Sequence, residues 1–155
     1  MENMDSLVKT VVHFEDGTLA KGFLHDAEGV VERALESGMG SLPDTVVELQ
    51  LVAGGRAPID LSAAKAVFFV KTFEGRADYT EIKFFQAHPK IAGLWVRVRF
   101  LDNEVSEGIV HNSLDFIEKP GFFMKPPDPR SNNRMVYVLK KSLVDFQVLG
   151  IQSEF

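Results

Sequence analysis

Apolar and polar side chains alternate with a two-residue period near the start of the chain. Val12 and Phe14 alternate with His13 and Glu15, which predicts a half-buried β-strand. Asp16-Gly17 follows, a tight-turn pair in which Gly accepts positive φ, and Leu19 to Leu24 then returns as a second strand. The same pattern recurs 86 residues later, where His13 to Asp26 lies over Arg99 to Asn112 without a gap. Phe14, Asp16, Gly22 and His25 match Phe100, Asp102, Gly108 and His111. Leu19, Phe23 and Leu24 keep apolar partners in Val105, Ile109 and Val110. Asp102-Asn103 supplies the second turn, since Asn also tolerates positive φ. Gly22 and Gly108 fall inside the returning strands, where an interior Gly marks a bulge or bend.

A second correspondence sets Ile59 to Val70 over Val138 to Leu149, each reading as strand, short polar turn, strand. Ala66 to Val70 is apolar without interruption, which predicts a strand buried on both faces. Gly54-Gly55 predicts a hairpin turn after Val47–Val52. Val30, Val31, Ala34 and Leu35 form an apolar helical face over Asp26 to Gly38, with Asp26 as N-cap and Gly38-Met39-Gly40 as the stop. The predicted fold is mainly β: two related small barrels of the SH3-like or Sm-like kind packed together, with a short helix in the first copy. Residues 8–71 form the first copy and 94–150 the second. Residues 72–93 form a packed connector rich in Phe73, Tyr79, Ile82, Phe84, Phe85 and Ile91, with Tyr79 to Phe85 a short helix or a strand.

Composition narrows the chemistry. The chain has 155 residues, no cysteine, and 22 acidic against 17 basic side chains, for a formal charge of −5. Disulfide scaffolds, thiolate zinc sites and cysteine catalysis are excluded, and a reducing, cytoplasmic setting is expected. No apolar run reaches the roughly 20 residues of a membrane helix, and the first residues carry no basic-then-apolar leader, so no membrane partner is expected. No nucleophile elbow, phosphate loop, zincin helix or dinucleotide fingerprint is present. His25 and His111 close equivalent strands, but no further ligand stands at a metal-like spacing, so both read as strand-end residues. Asp16 and Asp102 read as turn residues. No enzyme activity, cofactor or metal is expected.

One segment departs from the acidic average. From Lys119 to Lys141 six basic residues (Lys119, Lys125, Arg130, Arg134, Lys140, Lys141) stand against Asp128 alone, and four of seven prolines fall in Pro120 to Pro129. Pro126-Pro127-Asp128-Pro129 stiffens the loop, and Arg130, Asn132, Asn133 and Arg134 offer guanidinium and amide donors together. Phe122 and Phe123 precede it and point to opposite faces of a strand, so one is expected to reach the surface. The candidate binding residues are therefore Phe122, Phe123, Lys125, Arg130, Asn132, Asn133 and Arg134. The expected function is a non-enzymatic binding or regulatory module that uses the Gly121–Arg134 loop and an exposed strand edge to engage a protein partner or a second copy. The alternative is a nucleotide or single-stranded nucleic-acid binder, with a phenylalanine stacking on a base and the arginines on phosphates. The plainest reading makes the loop structural.

Two resemblances bear on this. Arg130-Ser-Asn-Asn-Arg134 has the R-x-x-x-R form of PilZ cyclic-dinucleotide receptors, and Asp145 to Gly150 resembles their second motif, with Gln147 in place of its serine. Phe14, Asp16, Gly17 and Gly22 resemble the first half of an Sm-like motif, whose RNA-binding Asn would fall at Asn112. The basic second Sm motif is absent. With Lys65 to Val70 and Gly121 to Asn133, the paired hairpins resemble an uncharacterised bacterial family of tandem small-β-barrel proteins over residues 8–150. That resemblance implies a fold and no activity.

Overall fold

The computed structural model describes residues 8–152 apart from 26–27, 38–39, 41, 43–44, 75–78, 80, 88, 90–91 and 114. Ten strands are formed: β1 (Lys9–Phe14), β2 (Leu19–His25), β3 (Val46–Leu51), β4 (Arg56–Asp60), β5 (Ala64–Val70), β6 (Gly93–Phe100), β7 (Val105–Val110), β8 (Gly121–Lys125), β9 (Asn133–Leu139) and β10 (Leu143–Gln152). Helix α1 (Glu28–Ser37) joins β2 to β3, and the single turn α2 (Asp115–Glu118) joins β7 to β8. Short 3-10 turns, Leu61–Ala63 and Lys140–Ser142, precede β5 and β10.

The strands make one antiparallel sheet in the order β10-β6-β7-β8-β9-β5-β1-β2-β3-β4. In place of the separately closed pair of barrels expected from sequence, the strand order is one open ladder, whose halves are joined where β5 pairs directly with β9 (Val67 opposite Tyr137, Phe69 opposite Met135). Within that ladder, the order β5-β1-β2-β3-β4 recurs as β10-β6-β7-β8-β9.

The pairing registers recur with the order. Val12 opposite Val67 has its counterpart in Val98 opposite Phe146. Both ladders carry a bulge at the same place, before Phe14–Ala64 and before Phe100–Leu143. Glu48 opposite Pro58 corresponds to Phe123 opposite Tyr137.

The hairpin turns agree bond for bond. Phe14 N–H donates to the Thr18 carbonyl, and Phe100 N–H to the Glu104 carbonyl, both at 2.9 Å. Asp16 accepts the Thr18 N–H at 2.9 Å, and Asp102 the Glu104 N–H at 3.0 Å. Gly17 and Asn103 both take positive φ, 90° and 73°. Gly22 and Gly108 allow the next strand to approach: a Cβ would lie 2.5 Å from the Gln50 carbonyl oxygen and 2.8 Å from that of Lys125.

Five is an odd number of antiparallel strands. In the ladder β10 therefore runs opposite to its counterpart β5, and the second set of five is turned over relative to the first. Its core accordingly lies on the opposite face. Core one gathers Val12, Leu24, Leu49 and Leu61 with Val31 and Ala34 of α1, while core two gathers Val96, Val98, Phe100 and Val110. The middle strands serve both, as their two-residue alternation allows. Phe123, Met135, Tyr137 and Leu139 enter core one, and Phe122, Met124, Val136 and Val138 enter core two. The two-sided burial expected of Ala66 to Val70 holds, with Val67 and Phe69 in core one and Ala66 in core two. The second half thus lends side chains to the core of the first.

The apolar helix face is present in α1, with Val31 and Ala34 fully buried, and Val30 and Leu35 packed against the same core. Its proposed cap and stop, Asp26 and Gly38-Met39, lie outside the described residues. Residues 81–87 of the connector are neither helix nor strand. Among the described residues no helix is long and apolar enough to cross a membrane.

Candidate interaction surface

The Gly121–Arg134 loop spends most of its polar groups internally. Asp128 is buried and accepts three bonds: from the Tyr79 hydroxyl, from Ile82 N–H (3.1 Å) and from Arg130 N–H (2.9 Å). Burial alone would raise its pKa. Those bonds and the nearby Arg130 charge outweigh it and hold the carboxyl below its usual value. Ser131 is buried and donates to Glu81 at 2.5 Å while accepting Asn133 N–H at 2.9 Å. Asn132 brackets Thr72, accepting its N–H at 3.0 Å and donating to its carbonyl at 2.8 Å. Asn133 reaches Glu81 at 3.4 Å. The loop is a latch that fastens Thr72, Tyr79, Glu81 and Ile82 to the second half.

The candidate residues therefore part company. Asn132 and Asn133 belong to the latch. Phe122 and Phe123 are 3% and 2% exposed, one in each core. The expectation that one phenylalanine reaches the surface is corrected: β8 sits inside the sheet with a core on each face, so alternation buries both rings. Phe122 meets Phe146 edge-on at 5.7 Å, and Phe123 meets Tyr137 at 4.9 Å. Lys125, Arg130 and Arg134 are exposed. A cleft of about 340 Å³ beside the loop is lined by Ile82, Phe84, Phe85, Pro127 and Pro129 among others, and none of these three cations lines it.

A second buried acid holds Lys83 and Phe85 of the connector. Glu107 on β7 accepts from Arg97 (2.7 Å), Trp95 Nε1 (3.1 Å) and Phe85 N–H (3.0 Å), and its own N–H donates to the Lys83 carbonyl at 2.9 Å. Burial pushes its pKa up, and these donors pull it below the ordinary value. Lys65 on β5 pairs with Asp102 at 2.8 Å and Glu104 at 3.0 Å across the junction of the halves. His13 packs on the Phe68 ring at 4.3 Å, and burial, with Lys65 nearby, lowers its pKa. Among the described residues no His, Asp or Glu cluster could hold a metal ion. The His25 side chain and His88 lie outside the described residues.

What remains is the pair of outermost strands. β4 is short and carries Arg56, Pro58 and Asp60, all exposed, with Arg56 3.9 Å from Glu48. Lys, Arg and Pro on an edge discourage further pairing, since Pro offers no N–H. β10 spans ten residues with Asp145 as its sole charge and no proline. It leaves Val144, Val148 and Ile151 at 55%, 49% and 66% exposure. Beside it opens a cleft of about 250 Å³ lined by Phe122, Lys140, Leu143, Val144, Asp145 and Phe146.

The corresponding place in the first half is closed. Val47, Leu61, Ala64 and Val67 stand where Phe122, Lys140, Leu143 and Phe146 stand here, and all four are buried beneath Tyr137 and Leu139. Sequence reading passed over this surface. The run Leu143 to Ile151, with one charge and no proline, carried the signal.

Neither a search of curated proteins nor one of solved structures finds a match for this chain. A family model described as a family of unknown function (DUF6982) matches residues 6–150, nearly the whole chain, and the protein belongs to that family.

Proposed function

We propose that this protein is a non-enzymatic interaction module that takes an extended partner segment as an added strand on β10. The chain reads as a duplicated five-stranded unit, and the unit provides a template for its own ligand. In the first half, the fifth strand (β5) has β9 laid along it, and Tyr137 and Met135 cover Val67 and Phe69. In the second half the fifth strand is β10, and among the described residues no strand lies along its outer edge. The observation that carries the reading is the difference this makes. Val67 and Phe69 are 0% exposed, whereas their counterparts are a half-buried Phe146 and a Val148 that is 49% exposed. Main-chain pairing would supply affinity, and apolar side chains at alternate positions would fill the 250 Å³ cleft. The base-stacking alternative has no exposed ring at Phe122 or Phe123 to use.

The test uses β9 as the probe. A fluorescently labelled peptide with the sequence of residues 132–140 is titrated with dilute protein and followed by anisotropy. The expected result is saturable binding that is lost in Val148→Lys, which sets a charge on the half-buried face of the edge. No saturable binding up to about 1 mM overturns the reading.

A further inference from the structure

We infer that the strand taken up by β10 in the free protein is β10 of a second copy, so that two chains join in one twofold sheet. This inference rests on the strand-capture reading above and adds the identity of the partner.

The first candidate for a neighbouring strand is β4 of another molecule, because repetition of the internal β5·β9 junction would place it there. Its chemistry rules it out. β8 and β9 present Phe123, Met135, Tyr137 and Leu139 to the neighbouring core. The registers place Glu48, Arg56, Pro58 and Asp60 at the same four positions of β3 and β4. Three of those four are ionised, and Pro58 has no N–H to contribute. That end of the sheet is built to stop.

β10 itself fits where β4 does not. A strand that pairs with its twin antiparallel across a twofold axis meets its own residues in reverse order. With the axis at Gln147, Phe146 lies opposite the second copy's Val148, and Val148 opposite its Phe146. Both apolar pairs then sit on the core-two face, in the places that Val67–Tyr137 and Phe69–Met135 hold on core one. Asp145 lies opposite Leu149, so the strand's one charge does not meet its like. The stretch Asp145 to Val148 also falls between the two bulges of β10, where the ladder is regular. The pairing covers Val148 and the open side of the cleft at once.

The absence of native cysteine makes the register directly testable. Gln147→Cys is oxidised under mild conditions and run on a non-reducing gel, with Ala57→Cys on β4 as the comparison. Sedimentation velocity of the unmodified chain and of Val148→Lys is measured over a hundredfold range of concentration. The expected result is a concentration-dependent dimer, abolished by Val148→Lys, displaced by the residue 132–140 peptide, and locked by a disulfide at position 147 at least tenfold more than at 57. A dimer that survives Val148→Lys, or that crosslinks through position 57, overturns the inference. A chain that stays monomeric throughout while still binding the peptide overturns it too, and leaves strand capture by β10 standing. A chain that does neither removes both.

Discussion

β4 and β10 are both outermost strands of the same sheet, yet they are finished differently. β4 is five residues long, and its outward positions hold an ion pair, a proline and an aspartate. β10 is twice that length, carries one charge and leaves three aliphatic side chains largely exposed. The halves they close share strand order, register and turn geometry, so backbone architecture does not explain the contrast. Side chains at corresponding positions do: Glu48, Arg56, Pro58 and Asp60 in one half, Phe123, Met135, Tyr137 and Leu139 in the other. A duplicated unit would extend without limit if both ends were sticky. Polar substitution at one end leaves β10, among the described strands, as the edge at which the proposed added strand would be received.

The sharpest way to break this comparison is to truncate matching positions. Tyr137→Ala removes a side chain that the second half lends to core one, where it is 1% exposed, and should cost about 3–5 kcal/mol in urea unfolding. Pro58→Ala alters the matching position on the exposed edge and should move stability by less than about 0.5 kcal/mol. Similar losses for the two would show that the lending of side chains between halves is not what joins them.

Next in size is the latch. The Asp128 carboxyl has a lower pKa folded than unfolded, so as pH falls the unfolded state takes up its proton before the folded state does. Its contribution is complete above about pH 4 and disappears as pH drops through the folded value. Unfolding midpoints measured downward from neutral pH should therefore fall more steeply for the unaltered chain than for Asp128→Asn. The variant should also start lower, having lost an acceptor for Tyr79 and Ile82. Parallel pH profiles would mean that the loop does not fasten the connector.

A smaller loss than that of Tyr137→Ala is expected in the second core. Phe146→Ala should cost about 1–2 kcal/mol, since its ring is only partly buried, less than truncation of a fully enclosed ring. The same variant should weaken binding of the residue 132–140 peptide. A loss as large as that of Tyr137→Ala would indicate that core two is already closed.

Much of the architecture was legible because it rests on local chemistry. Asp16-Gly17 and Asp102-Asn103 specify turns and Ala66 to Val70 announces two-sided burial, whereas the bulge expected at Gly22 and Gly108 is replaced by regular pairing in which each glycine admits a neighbouring strand. The joining of β5 to β9 was not legible, since edge-to-edge pairing between distant segments leaves no local mark. That missing pairing also decides where Phe122 and Phe123 lie. Phe122 and Phe123 look like surface aromatics only if β8 borders solvent on one face. The asparagines of the loop look like ligand donors until Thr72 and Glu81 are seen to engage them. α2 went unrecognised because a four-residue turn has no periodicity to read. The charge of the loop was visible from composition, whereas the openness of β10 depends on what is absent beside it.

Hydrogen exchange resolved to single amides, with and without a saturating amount of the residue 132–140 peptide, tests the central claim most directly. In protein dilute enough to be monomeric, outward-facing amides between Asp145 and Leu149 should gain at least tenfold protection when the peptide is present, while those of Arg56–Asp60 do not change. Protection that appears on β4, or on neither strand, would contradict it.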